Sequence, residues 1–197
     1  VERPIEKRDE LNEHLANLFE NAMHTLDKEL TYARYQAIAY LRPEVSNGLY
    51  DNAELISRSL AGIRKNGLVK RLESSFYAFQ ISLDNFRQAN QNMIDMFNRN
   101  KVFIAPDLDI NNLLEAGLSD EEIEEKLNAK AVENPKNSIF KAEDFKPEYI
   151  ELLQQDQEIL EKLYTEWEGI TDEDDSKFAK FNELLKHELF KAERNPE

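Results

Sequence analysis

Residues 68–97 read LVKRLESSFYAFQISLDNFRQANQNMIDMF, and their spacing decides the fold class. Leu68, Leu72, Phe76, Phe79, Leu83, Phe86, Asn90, Met93 and Phe97 recur every three or four positions, the period of one helical face. At about 1.5 Å per residue this stripe extends roughly 45 Å and can face partner helices along its whole length. Asn90 interrupts it with a polar side chain. Either Asn90 fixes the pairing register, as a buried Asn does in coiled coils, or it meets water near the helix end. The neighbouring Gln88, Gln91 and Asn92 favour water.

Moving outward, the other periodic segments are helical too. Asp9 is placed to cap a first helix carrying Leu11, Leu15, Leu18, Phe19, Ala22 and Leu26. Thr31 to Leu41 sets Tyr32, Tyr35 and Ala39 near one face and is stopped by Pro43. Ser46-Asn47-Gly48 reads as a turn before a shorter helix over about 51–61. Val102 to Pro106 is an apolar connector that could extend briefly. Ser119-Asp120-Glu121-Glu122 is a capping box opening an acidic helix to about Ala131, and Asn134 to Asn137 is a loop. Pro147 opens a helix with Tyr149, Leu152, Leu153, Ile159, Leu160, Leu163 and Trp167. After a break at Thr171 to Ser176, a last helix carries Phe178, Phe181, Leu184, Leu185 and Leu189.

The expected fold is therefore all-α: a helical bundle built around one long helix, about 68–97, with an acidic helical insertion. Its parts are a helical body (1–106), an acidic insertion or linker (107–146) and a C-terminal helical pair (147–197).

Composition narrows the function classes. The 197 residues carry 40 acids against 25 bases, a net charge of −15, with 41% hydrophobic residues, enough for a core. There is no Cys, which excludes disulfides, thiolate zinc sites and a thiol nucleophile and fits a reducing, cytoplasmic compartment. No apolar stretch approaches the roughly 20 residues of a membrane span, so no membrane partner is expected. A uniformly acidic surface would repel DNA, but the charge is not uniform. Residues 115–175 hold 20 acids and 6 bases, leaving 20 acids and 19 bases elsewhere. Between Glu54 and Glu73 stand Arg58, Arg64, Lys65, Lys70 and Arg71 with no acid among them, a stretch suited to phosphate or to an acidic segment.

Motifs for catalysis fail at the positions where chemistry needs them. Gly62 to Gly67 has the glycine spacing of a phosphate-binding loop, but Leu68-Val69 replace the Lys and Ser/Thr that grip phosphate and Mg²⁺. Asp172-Glu173-Asp174-Asp175 resembles an acidic Mg²⁺ motif yet lacks the apolar strand that should precede it. His14, His24 and His187 each follow a Glu by four residues, where a di-iron bundle needs Glu-x-x-His; surface helical pairs are expected instead. The chain is thus expected to hold no catalytic residues and no metal.

Three elements then resemble a known family in order. Leu68-Val69-Lys70-Arg71-Leu72-Glu73-Ser74-Ser75-Phe76-Tyr77-Ala78-Phe79 resembles the L-x-K-R-x-E-S-S-x-x-A-F helix of bacterial Swi/Snf-type superfamily 2 helicase-like ATPases. Leu30-Thr31-Tyr32-Ala33-Arg34-Tyr35 is similar to their L-T-x-A-R-Y element, and Asp174-Asp175-Ser176-Lys177-Phe178 to the helix leading into their second RecA-like lobe. The acidic stretch 107–146 matches no part of that pattern.

The resemblance implies a fragment, the helical region between two RecA-like lobes, that braces the lobes and touches double-stranded DNA in the parent. ATP, Mg²⁺ and all ATPase motifs would lie outside these residues. Arg64, Lys65, Lys70 and Arg71 are the expected phosphate or lobe contacts, and Arg34 with Glu73 an expected ion pair. The alternative is a self-contained acidic helical scaffold that binds a basic protein through 115–175.

Overall fold

The computed structural model describes residues 4–46, 50, 52–104, 122, 126, 129, 134 and 136–170, with side chains from Glu13 onward. Outside them lie most of the acidic insertion and its capping box, the Ser46-Asn47-Gly48 turn beyond Ser46, the Asp172 to Asp175 run, and the last expected helix. The described chain is mostly helical with one small sheet, as the period of three and four requires. Its elements are α1 (Pro4–His24), a π-helical turn (Thr25–Glu29), a 3-10 helix (Ala33–Ala39) and α2 (Pro43–Ser46). Next come α3 (Ala53–Ser74), α4 (Phe76–Asn98), β1 (Val102–Ile104), β2 (Ser138–Phe140), a 3-10 turn (Ala142–Asp144) and α5 (Glu148–Trp167).

The central helix expected over about 68–97 is two helices, α3 and α4, meeting at Ser75. Ser75 is the N-cap of α4: its hydroxyl accepts a hydrogen bond from the Ala78 N–H at 3.2 Å, satisfying a donor that a new helix leaves open. Beyond the cap, Arg71 Nη1 donates to Ser82 Oγ at 2.7 Å. Eleven residues of straight helix would separate these positions by about 16 Å, beyond an arginine's reach, so the chain bends at Ser75. The apolar stripe itself survives the break. Leu68, Leu72, Phe79, Leu83, Phe86, Met93 and Phe97 are all buried.

Residues divide into two compact units, and α3, α4 and α5 each contribute to both. The first comprises Val1–Leu30, Lys65–Asn85 and Ile159–Glu197. Its buried apolar side chains include Ala22, Leu26, Leu68, Leu72, Phe79, Leu83, Leu160, Leu163 and Trp167. The indole meets Phe76 and Phe79 edge-on at 5.4 and 4.9 Å, the geometry aromatic quadrupoles prefer. Gln80 Nε2 donates to the Trp167 carbonyl at 2.9 Å, satisfying an acceptor at the C-terminus of α5.

The second unit comprises Thr31–Arg64 and Phe86–Glu158. Here the connector after α4 does extend: β1 pairs antiparallel with β2, matching Val102 to Phe140, Phe103 to Ile139 and Ile104 to Ser138. Leu41 adds a single bridge to Phe145. Over this frame lies an aromatic stack. Tyr149 stacks on Tyr40 at 5.0 Å and on Phe145 at 5.4 Å, and Phe97 closes on Phe145 at 4.9 Å. Each such pair adds roughly 0.5–1.5 kcal/mol beyond burial.

Asn90 is fully buried and does not meet water. Its amide donates to the Leu153 carbonyl at 2.9 Å and to Gln157 Oε1 at 3.0 Å. The polar interruption of the stripe therefore sets α4 against α5 in one register, the role a buried Asn plays in coiled coils.

Candidate nucleic-acid interface

The basic stretch is entirely helical. Gly62 and Gly67 lie inside α3, and a Cβ at either position would meet nothing, so they are tolerated helix residues and no loop cradles a phosphate there. The four expected contact residues have different fates. The Arg64 guanidinium lies over the rings of Phe86 and Tyr35, at 5.5 and 5.8 Å. Lys65 donates to the Asp27 carbonyl at 3.1 Å and forms an ion pair with the Asp27 carboxylate. Lys28 joins that pair at 2.7 Å, and hydrogen bonds from Lys28 and then Lys65 hold the Asp27 carboxyl at about 2, below its ordinary 3.8. Arg71 reaches Ser82, as described above. Lys70 alone of the four is exposed with no ion-pair or hydrogen-bond partner among the described residues.

The L-T-x-A-R-Y element has an internal explanation. Asp156 of α5 is fully buried, and its Oδ1 accepts from the Thr31 N–H at 2.8 Å. Its Oδ2 accepts from the Thr31 hydroxyl at 3.1 Å and the Ala33 N–H at 2.9 Å. The anchored turn lets Tyr32 adopt a φ of 57°, which a non-glycine residue rarely holds without such support. Burial pushes the Asp156 carboxyl up, against the lowering effect of the hydrogen bonds from Thr31, Ala33 and Tyr32. Arg34 Nε donates to the Ala89 carbonyl at 2.8 Å, and Tyr35 packs on Phe86 at 5.4 Å. Arg34 belongs to the second unit, whereas Glu73 is an exposed residue of the first.

His24 also has a different partner from the one the spacing suggests: its Nδ1 lies 3.0 Å from Glu29 Oε1, in the π-helical turn. The insertion of a π turn after α1 brings Glu29 back toward His24, which helical i,i+4 counting cannot anticipate. His187 lies outside the described residues.

Sequence reasoning missed a surface on α3. Ile56, Leu60 and Ile63 recur at i, i+4 and i+7, so they share a face, and Leu55 stands beside them. All four are exposed, Leu55 to 66% and Ile63 to 69%. The signal was present as apolar residues on more than one side of 53–63, but it merged with the core-facing pattern. Among the described residues, no helix is long and apolar enough to cross a membrane.

Comparison with known protein families, with curated proteins and with solved structures found no match in any of the three.

Proposed function

We propose that the chain is the helical domain between the two RecA-like lobes of a Swi/Snf-type DNA-dependent ATPase, bracing those lobes without catalysis of its own. The observation that carries this reading is the exposed row of Leu55, Ile56, Leu60 and Ile63 on α3. Clustered large apolar side chains on an outer face favour a covering partner. A flanking lobe supplies one, and the basic stretch along the same helix suits a neighbouring DNA backbone. The order of the three family-like elements supports the same reading. Within it, Lys70 is the outward phosphate or lobe contact, while Arg64, Lys65 and Arg71 engage partners of the same chain.

The coding sequence around this chain tests the assignment. It is expected to encode a Gly-x4-Gly-Lys-Ser/Thr loop upstream and a second lobe directly after Glu197. A stop codon following Glu197 would overturn the assignment and leave the basic-protein scaffold as the better reading. In the longer protein, Leu60→Glu with Ile63→Glu should lower DNA-stimulated ATP hydrolysis at least tenfold while helix content stays unchanged.

A further inference from the structure

A cleft in the second unit brings two cations, Arg58 and Lys146, to one surface depression. It is lined by Gln36 and Ala39 of the 3-10 helix, by Tyr40 at its end, by Glu54 and Arg58 from α3, and by Lys146 just before α5. At about 190 Å³ it has room for about six waters, taking ~30 Å³ each. A phosphate group with part of its hydration fits that space. Lys146 is already positioned: its Nζ donates to the Ala39 carbonyl at 3.2 Å and stands 5.9 Å from the Tyr40 ring centroid. An ammonium held by one carbonyl and one ring face keeps further N–H groups to offer. Arg58 is highly exposed, and its ion pair with Glu54 is loose at 3.9 Å. A guanidinium in that state can exchange a distant carboxylate for a bidentate grip on two phosphate oxygens.

We propose that this cleft binds a phosphate group, with Arg58 and Lys146 as the charged contacts and Glu54 as the competing anion that limits affinity. The basic stretch identified Arg58 only as one cation among five. Three of the others are committed to internal partners, and the long-range pairing that brings Lys146 beside Tyr40 creates the convergence. Lys146 N–H donates to the Tyr40 carbonyl at 2.8 Å, so backbone geometry as well as side-chain contact fixes the lysine there. The inference does not depend on the motor assignment, since the cleft lies wholly within this chain.

The test uses the whole chain and two probes, inorganic phosphate by calorimetry and a labelled DNA duplex by fluorescence anisotropy, at about 50 and 200 mM salt. Binding of either probe is expected to weaken at least tenfold in Arg58→Ala and in Lys146→Met. Glu54→Gln should tighten it severalfold, which a merely destabilised fold cannot produce. Loss of one backbone contact should also reduce the salt slope for the duplex by about 1. Phosphate binding alone identifies a site for a small phosphorylated compound, and duplex binding with the same variant pattern identifies the nucleic-acid backbone. If neither probe binds, or if binding ignores all three substitutions, the proposal is overturned. The motor assignment fails separately, on the reading frame and the coupled ATPase.

Discussion

The two units are held together by different chemistry. In the first, the buried side chains among the described residues are mostly apolar, with Trp167 the largest, while the charged Asp27, Lys28 and Lys65 meet at the surface. In the second, a carboxylate and an amide, Asp156 and Asn90, are fully buried and tie elements together through backbone groups. An apolar centre stabilises by area and tolerates small shifts. A buried polar anchor specifies one geometry, because any misfit leaves unsatisfied donors in a dry interior.

Trp167→Ala should do the most damage, about 3–5 kcal/mol, by emptying the largest buried side chain of the first unit. The urea midpoint followed by far-UV circular dichroism measures it. Asp156→Ala comes next, at roughly 3 kcal/mol, because the N–H groups of Thr31, Tyr32 and Ala33 and the Thr31 hydroxyl lose their acceptor. Amide exchange at Thr31 and Ala33 should accelerate sharply. Slow exchange retained at those two amides would break the contrast between the units.

Asn90→Leu should cost about 1–2 kcal/mol, leaving the Leu153 carbonyl and Gln157 without the amide donor. Loss of sharp side-chain resonances in α4 and α5 would accompany it if register depends on the amide.

The smallest effect is a pair of opposite pH slopes. Asp27 has a folded value of about 2 against 3.8, so its contribution is present above 3.8 and is lost as pH falls toward 2. Asp156 has a raised folded value, so its contribution is fullest below 3.8 and declines as pH rises through that raised value. Comparing stability against pH for the parent chain, Asp27→Asn and Asp156→Ala separates the two slopes. Slopes of the same sign would mean that the two carboxylates do not differ in the way their surroundings demand.

Local periodicity made much of this legible. The buried stripe from Leu68 to Phe97 and the helix after Pro147 both follow from spacing alone. The break at Ser75 was obscured because the apolar period runs straight through it, although Ser74-Ser75 offered a capping residue. Pairing of β1 with β2 joins strands more than thirty residues apart, and no local pattern encodes such a match. Asp156 was hidden in a different way. In a segment with 20 acids it looks like one more solvated carboxylate, and only the turn at Thr31 to Ala33 distinguishes it. The site residues fared similarly: spacing found the basic stretch, but which cations remain outward is settled by partners distant in sequence.

The short β pair has a consequence for how this chain tolerates change. Ile104 sits opposite Ser138, so the two ends of the acid-rich stretch between them are already brought together by the ladder. Closing a connection between fixed ends depends only logarithmically on its length, about 0.6 kcal/mol for each doubling. The ladder therefore holds the ends of that connection at a fixed separation, so the entropy of closing it changes little with the number of residues that join the two strands.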